Sequence, residues 1–252
     1  MKIVVIGGTG LVGSKVVEQL RRKGHEAIAA SPNTGVDTVT GKGLVEALAG
    51  ATVVVDVSNS PSFEDQAAMD FFQTAGRNLA RAEVDAGVRH HVGLSVVGTE
   101  RFQASGYFRA KLAQEKLIAA SPVPYTLVRA TQFFEFIRAI ADFSTQDGTV
   151  RLPPVLFQPM AAQDVATAIA EAALAAPVNG IIEVAGPDRV MIDVPVRKVL
   201  EKDRDSRRIV VTADARYFGI DVTERSLIPD TVPHVGATRF DQWLMTAPLP
   251  AR

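Results

Sequence analysis

The chain has 252 residues, 47% of them hydrophobic and 22% charged, with a formal net charge of −1 and no cysteine. A balanced charge gives no electrostatic reason to bind nucleic acid or an anionic membrane surface, and the lack of cysteine excludes disulfides, thiolate metal sites and cysteine nucleophiles. No apolar run is long enough to span a bilayer, and the first residues already read as a strand, so the expectation is a cytoplasmic protein without a signal peptide, sized for one large α/β domain with a smaller lobe.

The first strand, Ile3-Val4-Val5-Ile6, runs straight into Gly7-Gly8-Thr9-Gly10-Leu11-Val12-Gly13, and an amphipathic segment over 11–22 follows, stopped by Gly24. Strand, glycine turn and helix start are the layout a dinucleotide pyrophosphate requires. Gly7 permits the turn, Gly10 lets backbone N–H groups approach the phosphates, and Gly13 lets the helix pack close to the sheet. The positive end of the helix dipole then faces the anion. Gly7, Thr9, Gly10, Leu11, Val12 and Gly13 are therefore candidate cofactor contacts.

The second strand, near 25–30, ends in Ala29-Ala30-Ser31-Pro32-Asn33-Thr34. A carboxylate at this place would bind a ribose 2′-hydroxyl and repel a 2′-phosphate. None stands there, and Asp37 lies further along. Ser31, Asn33 and Thr34 are small donors that suit a phosphate, so NADP(H) is expected in preference to NAD(H). A helix near 42–49 leads to Thr52-Val-Val-Val-Asp-Val-Ser58, apolar on both faces as a central parallel strand should be. Val57, Ser58 and Asn59 are expected in the cofactor-contacting loop that follows it. Ser62, with Asp65 three residues on, is expected to cap a helix over 64–85.

The fourth strand, near 90–95, opens on His90 and His91, whose side chains point to opposite faces and cannot readily share a metal; no metal site is expected. It ends at Ser95. A helix over 107–120 then places Tyr107 and Lys111 on one face, four residues apart. A fifth strand, 125–129, precedes a helical segment over 131–142, in which Gln132 and Phe133 are candidate substrate contacts, with Phe143 and Phe157 as further apolar walls. The later chain reads as a short edge strand within 148–154, helices over 163–175, 194–201 and 239–245, strands over 180–186 and 207–212, and a solvated charged loop over 202–208. Alternating strands and helices imply a mostly parallel, doubly wound sheet, with residues 1–150 as the nucleotide domain and 151–252 as a small intertwined substrate lobe.

Ligands of doubly wound sheets bind beyond the carboxyl ends of the strands, which brings Ser95 and the Tyr107/Lys111 helix to the edge that carries the glycine loop. Carbonyl reduction needs a proton for the developing alkoxide. Tyrosine can give it, a neighbouring ammonium favours the phenolate left behind, and a serine hydroxyl can hydrogen-bond the substrate oxygen as its charge grows.

The glycine loop, Ser95 and Tyr107-x-x-x-Lys111 resemble the short-chain dehydrogenase/reductase superfamily. Tyr125-Thr-Leu-Val-Arg-Ala130, Asp164-Val-Ala166 and Phe240-Asp-Gln-Trp-Leu244 are similar to its atypical, NmrA-like branch, although Arg129-Ala130 stands where extended members often carry Arg-Pro. The resemblance implies a Rossmann fold, a nicotinamide cofactor and a catalytic trio of Ser95, Tyr107 and Lys111, the last two also touching the cofactor with Ser95. It assigns Asn59 no catalytic role. The expected activity is NAD(P)H-dependent hydride transfer to a small, apolar carbonyl or quinone-like substrate, by a monomer or homodimer. The alternatives are a non-catalytic NADP(H)-binding redox sensor of the NmrA type, which typically lacks the active tyrosine, and a sugar-nucleotide epimerase or dehydratase.

Overall fold

The computed structural model describes residues 1–231 and 234–249; residues 232–233 and 250–252 of the expected lobe lie outside this description. In chain order the elements are β1 (Lys2–Ile6), α1 (Gly13–Arg22), β2 (Glu26–Ala30), α2 (Leu44–Leu48), β3 (Val53–Asp56), α3 (Asp65–Ala86), β4 (His90–Val96), α4 (Gly106–Ala120), β5 (Tyr125–Ala130), α5 (Ile137–Phe143), β6 (Thr145–Gln146), β7 (Thr149–Leu152), β8 (Leu156–Phe157), α6 (Ala162–Leu174), β9 (Gly180–Ala185), β10 (Val190–Met191), α7 (Asp193–Asp203), β11 (Arg208–Val211), β12 (His234–Val235) and α8 (Phe240–Thr246).

Seven strands form the central sheet in the order β12-β9-β5-β4-β3-β1-β2. Pairings β1–β2, β1–β3, β3–β4, β4–β5 and β9–β12 are parallel. This is a Rossmann-like α/β fold, and its innermost strands are apolar on both faces because helices cover both. Val53, Val54 and Val55 of β3 and Ile3, Val4 and Val5 of β1 are buried accordingly.

The chain divides into two compact units. One comprises Met1–Ala130 with Val165–Glu183, the other Thr131–Asp164 with Val184–Arg252. The division expected at residue 150 therefore falls elsewhere: the second unit begins where β5 ends, and α6 returns to the first. In that first unit, Gln19 of α1 donates to Thr167 of α6 at 3.1 Å.

The second unit has its own small sheets, β11-β7-β6 and β10-β8. Two local expectations change here. The segment read as one helix over 131–142 is extended through Phe133, because Thr131 N–H donates to Val184 and Met160 N–H donates to the Gln132 carbonyl. Helix α5 starts only at Ile137. The charged run over 202–208 is not simply solvated. Asp203 closes α7 and accepts both arms of Arg138 at 2.6 and 2.8 Å, Lys202 donates to the Leu244 and Ala247 carbonyls, and Arg207 pairs with Asp142 and Asp205. In the first unit, Ser62 does not cap α3. Glu64 occupies the cap position, and Ser62 Oγ accepts from the Glu64 N–H instead.

Candidate functional site

The glycine loop is shaped by backbone contacts that leave no room for side chains. Gly7 has φ +75°, a left-handed conformation that favours glycine, and a Cβ there would stand 2.9 Å from the Ser58 nitrogen. A Cβ on Gly13 would stand 2.2 Å from the Gly7 carbonyl oxygen, so α1 begins directly over the turn. No side chain caps the start of α1, and its first turn carries no acidic residue. This leaves the helix N-terminus in the condition an anion requires. The loop thus fits a dinucleotide pyrophosphate.

The turn is tied to the end of β2 by Thr9, whose hydroxyl donates to Ser31 Oγ at 3.0 Å. Thr34 Oγ1 accepts from the Ser31 N–H at 2.9 Å, while Asn33 is exposed. Asp37 is occupied by its own loop, with its Oδ1 accepting from the Val39 and Thr40 N–H groups.

At the end of β3, Asp56 is buried. Its Oδ1 accepts from the Ser58 N–H at 3.0 Å and the Ser58 hydroxyl at 2.6 Å, and its Oδ2 accepts from Gln114 Nε2 at 2.8 Å. Val57 N–H continues the sheet by donating to Ile6. Asn59 Oδ1 accepts from the Tyr107 hydroxyl at 3.0 Å. The β3 loop and α4 are therefore bonded to each other at two points.

The three residues singled out for chemistry all lie in the first unit. Lys111 is 3% exposed. Its ammonium donates to the carbonyl of Leu94, the residue before Ser95, at 2.9 Å and to Gln114 Oε1, and it sits 4.6 Å from the centre of the Phe72 ring. Burial pulls it down to about 8, against the opposing pull of Asp56 and Glu115. Tyr107 packs edge-on to the same Phe72 ring, at 6.1 Å, and beside the exposed Phe63 at 5.2 Å. Burial pushes its phenol up to about 12. Lys111 thus does not lower the tyrosine here, because its ammonium is directed to Leu94 and Gln114. Ser95 is buried, with Thr99 Oγ1 at 3.4 Å; the Thr99 proton goes to the Val96 carbonyl at 2.6 Å, which leaves the Ser95 hydroxyl weakly engaged. Next to Ser95 in register, Arg129 of β5 holds Glu115 through two bonds and also pairs with Glu100.

Behind this edge, Asp56, Glu83, His91 and Gln114 line a cavity of about 10 Å³, the size of one water. His91 Nδ1 bonds Glu83 at 2.7 Å and its Nε2 is buried without a partner. His90 points the other way, to Thr126 at 2.9 Å.

Gln132 and Phe133 belong to the second unit. Both polar atoms of the Gln132 amide are shielded and unpartnered, and Phe133 stacks on Phe136 at 5.6 Å. Phe157 is fully buried core, whereas Phe143 is exposed against Phe218. Sequence reasoning missed Asp56 and Gln114. The acid at the end of an otherwise apolar strand was the available signal for the first, and Gln114 had none.

A family profile described as NAD(P)H-binding matches residues 7–177. Two photosystem II assembly factors called Ycf39 are similar in sequence. That of Synechocystis is 24% identical over 149 residues, covering 54% of this chain and 46% of its own, and that of Trieres chinensis is 26% identical, covering 54% and 47%. The chain thus spans about half the length of the curated relatives it matches. Among solved structures, MoeE5 in complex with UDP-glucose and NAD aligns with a TM-score of 0.73 at 18% identity, covering 98% of this chain and 97% of that one. The UDP-glucose 4-epimerase of Thermus thermophilus with NAD aligns at 0.69 and 19%, covering 90% of each. A short-chain dehydrogenase/reductase superfamily protein of Agrobacterium tumefaciens with bound NAD aligns at 0.70 and 18%, covering 97% and 95%. At such identities the shared property is the fold. Among the described residues no helix is long and apolar enough to cross a membrane.

Proposed function

This chain belongs to the NAD(P)H-binding family, and we propose that it is an oxidoreductase that reduces a small, apolar carbonyl or quinone-like substrate, as a monomer or homodimer. The supporting observation is that the Tyr107 ring and the Lys111 ammonium both pack on one Phe72 ring, with the ammonium anchored on the carbonyl next to Ser95. When bound, the reduced nicotinamide supplies the hydride. Tyr107, protonated at neutral pH, gives its hydroxyl proton to the carbonyl oxygen as the C=O electron pair moves onto that oxygen. The alcohol departs and the phenolate regains a proton from solvent. Ser95 donates its weakly engaged hydroxyl to the same oxygen as charge grows there. Lys111 hydrogen-bonds the cofactor ribose with the N–H that Leu94 and Gln114 leave open. The glycine loop and the start of α1 hold the pyrophosphate.

NADP(H) is the preferred cofactor in this reading. The support is chemical: residues 31–36 after β2 carry no carboxylate, Asp37 is engaged by its own loop, and Ser31 offers a hydroxyl there, whereas that of Thr34 is spent on the Ala29 and Ser31 carbonyls.

A second reading is favoured by two observations. Two of the Lys111 N–H groups are satisfied by the protein itself, and the sequence relatives are assembly factors. Such a chain would bind the cofactor and act through a protein partner. NADPH consumption against quinones, aldehydes, ketones and imines separates the two. Turnover that is lost in Tyr107→Phe with NADPH binding retained supports the oxidoreductase; tight binding without turnover across the panel supports the second reading.

A further inference from the structure

An ammonium has three N–H donors. Two of those on Lys111 are committed, to the Leu94 carbonyl and to Gln114 Oε1, so the direction of the third is fixed by these two partners. Gln114 is itself 3% exposed, and its other amide atom, Nε2, donates to Asp56. The other Asp56 oxygen holds the Ser58 N–H and hydroxyl. Asn59, next in sequence, holds the Tyr107 hydroxyl, and Tyr107 lies one turn from Lys111 on α4. The bonds therefore close a ring: Lys111, Gln114, Asp56, the 58–59 loop, Tyr107 and back along α4. The amide of Gln114 has only one workable orientation in it. Its NH₂ must face the carboxylate and its oxygen the ammonium.

We propose that Gln114 is the positioning residue of Lys111: it transmits the placement of the 57–59 loop to the ammonium and aims the remaining N–H at the ribose hydroxyls of the cofactor. The inference rests on the cofactor role given to Lys111 above. A purely structural role accounts poorly for the arrangement, because an aliphatic side chain would pack against Phe72 without the cost of burying a charge. The groups that set the charge of Lys111 come from each neighbouring element. Asp56 of β3 and Glu115 of α4 favour the ammonium, with Glu115 shared by Arg129 of β5. The Phe72 ring of α3 also favours it. His91 of β4 acts at one remove, through Asp56.

The test uses the full chain and needs no turnover. The Lys111 ammonium, labelled with ¹⁵N and assigned with Lys111→Met, is titrated by NMR, and NADPH affinity is measured by calorimetry over the same pH range. In the wild type the ammonium loses its proton near 8, and affinity falls through the same midpoint. Gln114→Glu sets a carboxylate between the ammonium and Asp56; although Asp56 opposes its ionisation, the added negative charge moves both midpoints up together, by about half a pH unit or more. If that variant does not fold, Asp56→Asn is read instead. It removes the favourable charge, and both midpoints move down together. Midpoints that stay at the wild-type value, or an NMR midpoint that moves while the binding midpoint does not, overturn the proposal. So does wild-type affinity that is flat across the Lys111 titration. None of these results touches the Tyr107→Phe turnover test, so a failure here and a failure of the oxidoreductase reading are told apart.

Discussion

Gly13→Ala tests the glycine loop by a clash of known size. The added methyl would stand 2.2 Å from the Gly7 carbonyl oxygen and 2.8 Å from both the Gly7 carbonyl carbon and Gly8 Cα. All three are backbone atoms, so no side chain can turn away. Ordinary contact begins at 3.4 Å, and relief therefore requires α1 and the turn to separate by roughly 1 Å, an overpacking that costs about 1–3 kcal/mol. For a chain of this length each kcal/mol is worth about 2–4 °C in Tm, so melting falls by about 2–12 °C, less whatever Ala restores in helix propensity. The same displacement takes backbone N–H groups out of reach of the pyrophosphate. Losing one such charge-assisted bond, about 1.5–3 kcal/mol, weakens NADPH binding roughly 10- to 100-fold. Differential scanning calorimetry and binding calorimetry read both effects. Gly10→Ala is the control for melting alone, since its methyl would lie 3.3 Å from the same oxygen, and its loss in Tm is smaller. A Gly13→Ala chain that melts and binds like the wild type would refute the reasoning.

Three further outcomes are expected. Ser31→Asp places a carboxylate at the end of β2, beside Thr9, and lowers affinity for NADPH more than for NADH; calorimetry with both cofactors showing an equal loss would contradict the NADP preference. Glu115→Ala removes the two-bonded partner of the buried Arg129 guanidinium and leaves it the half-exposed Glu100, destabilising by about 3 kcal/mol in denaturant unfolding, whereas Glu100→Ala, removing a partner with 43% side-chain exposure, costs under about 1 kcal/mol. His90, pulled by burial from 6.5 to about 4, binds fewer protons folded than unfolded between those values. Its stability contribution is therefore present above 6.5 and lost as pH falls toward 4. Wild type should lose ground against His90→Gln in unfolding midpoints measured between about pH 7 and about pH 4.5; parallel curves would contradict that assignment.

The parts of this molecule legible in its sequence are those governed by local rules. The glycine spacing, the β-branched run before it and the four-residue interval from Tyr107 to Lys111 fix their geometry within a few residues. What escaped depends on partners far along the chain. Gln114 matters because Asp56, 58 positions away, meets its amide. The segment 131–133 carries a helix-like pattern yet is extended, because Val184 and Met160 supply its hydrogen bonds. Strand β12 is two residues long, too short for any periodicity. The expectation that Lys111 lowers Tyr107 assumed that adjacent turns imply interacting side chains. The ammonium instead found a carbonyl and an amide oxygen, and burial of the ring decided the phenol.

The most direct test of hydride transfer uses NADPH deuterated at the transferring position of the nicotinamide, incubated with the full chain and a carbonyl substrate found in the turnover panel. Mass spectrometry of the product should show one deuterium on the former carbonyl carbon, and none with Tyr107→Phe. A product without deuterium, or label that appears equally with Tyr107→Phe, would contradict the proposed reaction.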